Sequence, residues 1–547
     1  MSSAALPSRR STSSASPLGA ARSAPPTAAS TPGVAAGSAA SGDSARSAGG
    51  GVGGRSRQLA VAVYGSVVLV FATINAVNLA LPSLSVSALH PSPTAMLWIV
   101  DAYAIVFACL LIPAGVVGDR FGRKRTLLSG LVVFAIGALA SALAPGTGVL
   151  LSARALTGAG AAFVLPTTLA LLLAVIPQKG RAKAVATWTA MASVGGVAGN
   201  LGSGIVLQFL PWPALFGLLA AVACGLAVLA ARGAPRTPGR PMVLDPVGAL
   251  LLALTLLALL YAIIEGPERG WTAAPVLSSA VAAVVLLVGF VGWELRHREP
   301  MLDPRVFARR ELRAGTLGVT VVFVAVFALF YTNAQYLQYA KGFSALLTGV
   351  AVLPYAIGTF VASRNSVRLT ERLGARVVVS AGLVLTVLAL VLLSTASAGT
   401  PYWLYVGYLL VFAAGAGVAV PPMSTGILSS LPPHRAGLGS GLNSATRELG
   451  SALGVAVLGT VMNVQFASHL PQSVRGGQGA GQGHGSVGAA LDAASRLSAT
   501  EHGRVIDAFT RAMGDGYRAV GVVVLAGAVL VMVWFRPRRG EAKGADA

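Results

Sequence analysis

Two ionisable residues, Asp101 and Arg154, lie inside long apolar stretches of the sequence. A charged side chain at the centre of a bilayer costs at least about 2.5 to 3.5 kcal/mol, so it needs a partner there. A carboxyl group in that setting can bind and release a proton as its surroundings alternate between wet and dry. We therefore predict a proton site at Asp101; the alternative is a helix-end carboxylate hydrogen-bonded to a neighbouring helix. Arg154 lies near the end of its stretch, so its side chain could instead extend to the membrane interface.

A second cluster of charge occupies the link 115–127, between two apolar stretches. Gly115 and Gly122 permit tight backbone approach, and Asp119 can favour the partial positive charge at the N-terminus of a neighbouring helix. We predict that this link latches one conformation, in addition to fixing topology through its basic residues. The residues assigned to the latch are Gly115, Asp119, Arg120, Gly122, Arg123 and Lys124.

The segment 371–376 is a shorter echo of residues 119–124 and also lies between two apolar stretches. The echo aligns the second and third apolar segments with the tenth and eleventh, which indicates an internal repeat. An offset of eight segments implies six helices, two inserted helices and six more.

The fifth apolar segment carries glycines at spacings that allow close helix packing, namely Gly195, Gly199, Gly202 and Gly204. Asn200 in the same segment is a polar group that needs a partner. The glycines form either a specific gating seam or the ordinary glycine content of a membrane helix.

Aromatic and amide side chains could supply the surface that an apolar ligand needs. Many such aromatic residues are instead anchors at the membrane interface. The candidates are Trp98, Tyr103, Trp188, Tyr331, Asn333, Gln335, Tyr336 and Tyr355.

The composition indicates a polytopic membrane protein of the all-α class. Of 547 residues, 55% are hydrophobic and 11% are charged, with a mean hydropathy of +0.74, which leaves too little polar surface for a water-soluble globule. The net charge of +22 lies in short links and tails, which favours membrane topology over nucleic-acid binding. Cys109 and Cys224 lie in apolar segments and are interpreted as packing residues. No nucleotide-binding loop, metal-ligand cluster or nucleophile motif occurs in the sequence, so we expect no enzyme activity and no cofactor.

A spanning helix needs about 20 apolar residues. By that measure the sequence predicts fourteen spans: 58–84, 95–116, 126–145, 148–176, 183–208, 212–231, 243–264, 274–295, 314–337, 345–363, 376–396, 402–427, 436–464 and 515–535.

The links between these spans are alternately basic and nearly free of cations, which predicts that both termini are cytoplasmic in a protein of the plasma membrane. The predicted parts are a disordered basic tail 1–57, a first half 58–231, two inserted helices with a linker 232–313, a second half 314–535 and a basic tail 536–547. The second half includes an outward loop 467–514, with a plausible amphipathic helix at 487–513 and the solvated cap as its simplest interpretation.

Over residues 60–535 the chain resembles the major facilitator superfamily, and within it the branch of fourteen-span drug:proton antiporters. The resemblance rests first on the link 115–127, which matches the signature between the second and third helices of that superfamily. Further matches occur at 97–103, 154–162, 265–271, 421–422, 436–443 and 447–450.

The resemblance implies two six-helix halves that rock about a central cavity, with the inserted helices outside. It also implies export of a small lipophilic compound driven by protons, with Arg154 directed into the cavity. The chain departs from the branch at Thr73, where the first helix commonly has an acid, and at Asn200, where the fifth-helix motif usually has proline after glycine. Thr73 mildly favours an alternative function, the export of one endogenous secondary metabolite. A transporter-like membrane sensor without flux is a further alternative.

Overall fold

The protein was analysed as a computed structural model, which describes residues 42–85, 87, 89, 91, 93–239, 245–470 and 498–534. These residues form helices and connecting turns without any strand, which confirms the all-α prediction for this part of the chain. Long apolar segments become helices because a helix satisfies its own backbone hydrogen bonds where water is absent. The α-helices are α1 Gly42–Ser85, α2 Pro93–Phe121, α3 Arg123–Ala142, α4 Thr147–Val175, α5 Gln178–Phe209, α6 Trp212–Gly233, α7 Pro246–Arg269, α8 Ala274–Arg296, α9 Arg310–Gln335, α10 Ala345–Ala351, α11 Leu353–Leu393, α12 Tyr402–Ser429, α13 Ala436–His469 and α14 Ala499–Trp534.

Thirteen helical stretches among the described residues are long and apolar enough to cross a membrane. One of them, Leu347–Leu393, is 47 residues long, about twice the length that a single crossing needs. The helix α11 is broken inside this stretch at Gly374, whose backbone has φ 79° and ψ 152°. Counting this broken stretch as two would give the fourteen spans that the sequence predicts, against the thirteen found among the described residues.

The break at Gly374 has a counterpart between α2 and α3. Gly122 separates those two helices with φ 95° and ψ 130°, the same region of backbone space. Only glycine adopts such angles readily, because a Cβ atom would clash with the backbone. The two glycines occupy equivalent positions of the predicted repeat, so the repeat extends to backbone conformation.

Several helix boundaries differ from the sequence-based ones. The helix α1 begins at Gly42, within the predicted tail. Its membrane-crossing part is Arg57–Leu81. The helix α14 begins at Ala499, so the predicted amphipathic helix and the last span are continuous from there. Residues 1–41, 471–497 and 535–547 lie outside the described residues, with most of the predicted outward loop and both chain ends among them.

The helices α1 to α6 and α9 to α14 supply two bundles, with α7 and α8 between them in the chain. Within the first bundle α4 packs on α2 and α3, and within the second α12 packs on α11 while α13 packs on α9. The bundles meet where α13 packs on α2 and where α11 packs on α5. The inserted helices pack on each other, and α7 also contacts α2 and α13. The helix α8 is the more peripheral of the two. Within an 18-residue apolar stretch of each helix, 17% of the α8 residues are buried, against 39% of the α7 residues.

Candidate functional site

A cavity of about 220 Å³ lies between the two bundles and is lined by α1, α5, α9, α11, α12 and α13. Six of its nineteen lining residues are aromatic, and three of these form a connected group. The ring centroids of Phe327 and Phe330 are 6.3 Å apart, and those of Phe330 and Tyr355 are 5.3 Å apart. The polar wall groups are neutral hydroxyls and amides, such as Asn75 and Thr359. Among the described residues, the wall contains no Asp, Glu, Lys, Arg or His. The cavity is suited to a neutral apolar ligand with a few hydrogen-bonding groups.

Thr73 lies on α1, two residues after Phe71, which lines the cavity, but Thr73 itself does not line it. Its side chain is fully buried, and its hydroxyl donates to the carbonyl of Leu69 on the same helix at 2.8 Å. Thr73, at which the sequence analysis noted a departure from the family pattern, is therefore a neutral group bonded to its own helix.

Of the eight aromatic and amide candidates, Tyr331 and Tyr355 line the cavity. The other six lie elsewhere: Trp98, Tyr103, Trp188, Asn333, Gln335 and Tyr336.

Several of these six side chains are held by other contacts. Asn333 accepts a hydrogen bond from the Tyr405 hydroxyl at 2.8 Å, and the Tyr336 hydroxyl donates to the carbonyl of Ser397 at 2.9 Å. Gln335 donates to the carbonyl of Tyr331 on its own helix. The Trp98 ring faces Tyr261 of the inserted helix α7, with centroids 6.1 Å apart. These contacts keep the side chains within or between helices, outside the cavity wall.

Arg154 of α4 is 1% exposed and contacts α2. Its Nε donates to the carbonyl of Ile99 at 3.0 Å, and its guanidinium lies 4.6 Å from the centroid of the Tyr103 ring. No hydrogen-bond partner for the two terminal nitrogens of Arg154 is found in the part of the chain that the structure describes. Asp101 lies on α2, two residues after Ile99, and is partly buried. Arg154 is thus a buried cation beside the helix that carries Asp101 and does not extend to the surface.

Arg447 of α13 is a second fully buried cation, and it contacts both bundles. Its guanidinium lies between the rings of Trp188 on α5 and Phe323 on α9, 4.9 Å from each centroid. The Nη2 atom donates to the hydroxyl of Thr189 at 3.1 Å and to that of Ser424 at 3.4 Å. Thr189 and Phe323 also line the cavity, so Arg447 lies directly behind its wall.

The sequence analysis used 447–450 only as a motif and assigned no chemistry to Arg447 or Glu448. A signal was available, because these adjacent ionisable residues lie inside a predicted span, where charge is costly. Glu448 is 7% exposed and interacts electrostatically with Arg447 and with Tyr103. Arg447 and Glu448 are therefore ionisable residues of α13 at the interface between the bundles, and Arg447 is adjacent to the uncharged cavity.

The predicted latch residues lie where α2, α3, α4, α6 and α13 converge. We call this end of the molecule, which carries Arg120, Arg123, Lys124 and Arg125, the basic face. Asp119 accepts hydrogen bonds from the backbone amides of Gly437 and Leu438 at 2.8 and 3.2 Å, at the start of α13. Arg123 pairs with Asp119 at 3.2 Å and donates to the carbonyl of Ala170 on α4. The carboxylate of one bundle thus meets the helix N-terminus of the other, where negative charge is favoured.

The remaining residues of this link contact the chain within the first bundle. The Lys124 ammonium donates to the carbonyls of Ala231 and Ala234 at the end of α6, both at 2.7 Å. The Arg120 guanidinium lies 5.3 Å from the ring centroid of Phe121. Gly115 packs against Gly437, since a Cβ added to Gly115 would lie 2.7 Å from the carbonyl carbon of Gly437.

The fifth-helix glycines divide into two groups. A Cβ added to Gly195 or to Gly199 would lie 2.8 Å from backbone atoms of α1, at Val68 and at Ala72 respectively. A Cβ at Gly202 would meet nothing, and one at Gly204 would make only an ordinary contact with Leu79. Close packing on α1 therefore involves Gly195 and Gly199, and the partly buried Asn200 follows directly after them.

Comparison with known proteins connects this arrangement to a family. A sequence profile of the Major Facilitator Superfamily matches residues 63–455. The chain is 30% identical over 488 residues to the multidrug efflux pump LfrA of Mycolicibacterium smegmatis, covering 87% of this chain and 96% of the relative. It is 34% identical over 418 residues to the puromycin resistance protein pur8 of Streptomyces alboniger, covering 75% of this chain and 82% of the relative.

A solved structure shares the fold at much lower sequence identity. The crystal structure of the human organic anion transporter MFSD10 superposes with a TM-score of 0.58 and 15% identity, covering 87% of this chain and 99% of that one. The predicted resemblance is confirmed by the profile match, the curated relatives and this fold. The chain is a membrane protein that belongs to the major facilitator superfamily.

Proposed function

We propose that this protein is a proton-driven exporter of lipophilic drugs or antibiotics that works by alternating access. The observation that carries the proposal is the cavity between the two bundles, whose wall is uncharged and partly aromatic, with Arg447 directly behind it. Relatives named for multidrug efflux and antibiotic resistance support the direction and the class of substrate.

The cycle requires that the cavity open to one side of the membrane at a time. The contact between α2 and α13 supports closure on the basic face, because Asp119 joins the first bundle to the start of α13 there. The latch keeps this side closed until substrate or proton binding separates the bundles. Packing of Gly195 and Gly199 on α1 would serve the same cycle by limiting leakage along α5.

We assign the proton coupling to Asp101 and Arg154. Asp101 would bind the proton, and the buried Arg154 would respond to the change of charge on α2, which it already contacts at Ile99. With both termini cytoplasmic in the plasma membrane, protons would enter as substrate leaves. A potential of 100 mV supplies roughly 2.3 kcal/mol per charge, enough for an approximately 50-fold gradient per proton.

The test is uptake into inverted, sealed vesicles that contain the protein and have an acidic lumen. Neutral lipophilic antibiotics and cationic dyes are offered in competition, and we expect accumulation that a protonophore abolishes, with neutral compounds competing better because the wall has no acid. No movement of any solute under the proton gradient would contradict the proposal.

The coupling residues are tested in the same vesicles. Asp101→Asn should reduce gradient-driven accumulation by at least about tenfold while leaving substrate exchange without a gradient, since only the proton site is lost. Asp507→Asn, a carboxylate on the exposed side of α14, is the matched control. If Arg154→Ala and Arg154→Lys both leave coupling intact, Arg154 serves only as an anchor.

A second candidate is the dedicated export of one endogenous compound. The relative from Streptomyces alboniger is named for resistance to a single antibiotic, and Thr73 removes a charge that would favour many cations. In the vesicle competition, inhibition by one chemical scaffold alone would favour this candidate, and inhibition by many unrelated scaffolds would favour the broad exporter.

A further inference from the structure

The contact between α2 and α13 is a backbone-to-backbone seam between the two bundles. Gly437 of α13 packs against Gly115, and one turn later a Cβ added to Gly441 would lie 2.6 Å from the carbonyl oxygen of Leu111. Such close approach leaves no room for side chains between these helices at either point. We call the facing segments 103–119 and 437–448 the α2–α13 seam.

Each end of this seam carries a carboxylate, and their surroundings differ. Asp119, at the basic face, receives hydrogen bonds from two backbone amides of α13 and pairs with Arg123. Glu448, at the inner end, is 7% exposed, and no hydrogen bond to its carboxylate is found among the described residues, although its oxygens are not fully enclosed.

The charged and titratable groups around Glu448 do not supply the missing donor. On its own helix Arg447 is the nearest cation, but its guanidinium is directed to Thr189, Ser424 and two aromatic rings. From α2 the facing group is Tyr103, whose hydroxyl donates to the carbonyl of Val70 on α1. Asp101 lies two residues before Tyr103, and the guanidinium of Arg154 on α4 lies 4.6 Å from the centroid of the Tyr103 ring. The electrostatic partners found for Glu448 are Arg447 and Tyr103.

We propose that Glu448 is a proton-binding site of the α2–α13 seam, protonated while the seam is closed and ionised when the bundles separate. A buried carboxylate without a hydrogen-bond donor is unstable as an ion, and such a group is neutralised by a proton. Separation of α2 from α13 would admit water from the basic face to Glu448 and release that proton. The charge of Arg447 favours the ionised form, but this attraction is present in both states because both residues lie on α13.

This inference deepens the proposed proton coupling and assigns part of it to a residue on the second bundle. Its test measures the seam without any substrate or transport. Spin labels are placed at Arg125→Cys and His434→Cys, two exposed positions at the basic face on either side of the seam, in a chain with Cys109→Ala and Cys224→Ala. The distance distribution between the labels is measured in lipid nanodiscs from acidic to alkaline pH.

In the parent protein we expect the population with the longer distance to grow as the pH rises, because ionised Glu448 disfavours closure. Glu448→Gln should remove this pH response and keep the seam closed, whereas Glu448→Asp should keep a response with a displaced midpoint. Glu311→Gln, at an exposed carboxylate on α9, is the matched control and should behave like the parent. An unchanged pH response in Glu448→Gln would overturn the inference, and Glu448→Asp provides the comparison if the glutamine variant fails to fold.

The exporter proposal and the Glu448 proposal can be contradicted independently of each other. If the pH response depends on Glu448 but the vesicles move no solute, the proton site stands and the exporter does not. If proton-driven accumulation is intact while Glu448→Gln retains both the pH response and the coupling, the exporter stands and Glu448 is not its proton site.

Discussion

The link between α2 and α3 and its repeat within α11 have the same backbone conformation but different surroundings. Both turn at a glycine with positive φ, Gly122 and Gly374. In the first link Asp119 contacts α13 across the interface between the bundles, and Lys124 contacts the end of α6. In the second, Glu371 is exposed, and the segment borders a cavity of about 1050 Å³ at the basic face.

The amino-acid differences between the two links account for this contrast. Arg123, which joins Asp119 to α4, aligns with Ala375, whose side chain cannot make either contact. A Cβ at Gly122 would meet the carbonyl of Thr237, whereas one at Gly374 would meet nothing. The repeat therefore preserves the turn, while the contacts that hold the turn are present in one copy only. In this conformation the first link is joined across the interface by Asp119, although it too borders a cavity of about 670 Å³, and no such contact of the second link is found among the described residues.

The largest expected effect is a charge reversal at Asp119. Asp119→Lys removes a carboxylate that accepts from two amides and places a cation at the N-terminus of α13, where positive charge is unfavourable. Charge-assisted hydrogen bonds contribute about 1.5 to 3 kcal/mol, so we expect a loss of transport of about ten- to hundredfold. Uptake in inverted vesicles is measured together with the amount of protein in the membrane, which should be normal.

Glu371→Lys is the matched reversal in the second link. It should change transport by less than about twofold, because surface charges without close partners contribute little. Equal losses from the two reversals would show that the contrast belongs to this one conformation and that the second link forms an equivalent contact elsewhere in the cycle.

Much of the helical framework could be predicted from the sequence because lipid imposes a simple rule on long apolar segments. The sequence analysis separated the spans 345–363 and 376–396 and aligned 371–376 with 119–124, but it did not predict that the turn occurs at Gly374. The continuity of α14 from Ala499 was not predicted, because residues 499–513 form an amphipathic segment and not a uniformly apolar one. Val505 and Phe509 are buried, and the Phe509 ring faces Tyr339 with centroids 6.0 Å apart.

The cavity was predicted less well, because its wall depends on how each helix is rotated about its own axis. Tyr331 and Tyr355 line the cavity, whereas Tyr336, one turn beyond Tyr331, is turned to Ser397 and Tyr405. Arg447 was missed for a related reason. Its partners come from α5, α9 and α12, and a single sequence does not indicate which of these helices meet.

Substitution of the two turn glycines separates the shared backbone from the contacts around it. Gly122→Ala and Gly374→Ala should each cost about 1 to 2 kcal/mol, because an L-residue is strained at positive φ. Gly122→Ala carries the additional clash with Thr237, so its loss of thermal stability in detergent should be the greater. Unfolding midpoints of the two variants and the parent are compared in one detergent, and a larger loss from Gly374→Ala would contradict the view that only the first link is closely packed.

The smallest expected effect concerns the cation that each link places after its glycine. Lys124 donates to two carbonyls at the end of α6, where a positive charge contributes typically about 0.3 to 1 kcal/mol. Lys124→Gln should therefore lower the free energy of unfolding by about that amount, and Arg376→Gln, at the exposed equivalent position, should change it by less than about 0.5 kcal/mol. Screening by salt weakens interactions at helix ends, so the difference between the two variants should shrink as ionic strength rises. If the difference in the free energy of unfolding between the two variants does not depend on salt, Lys124 acts through packing of its side chain on α6. The two links would then differ in their packing more than in their charge.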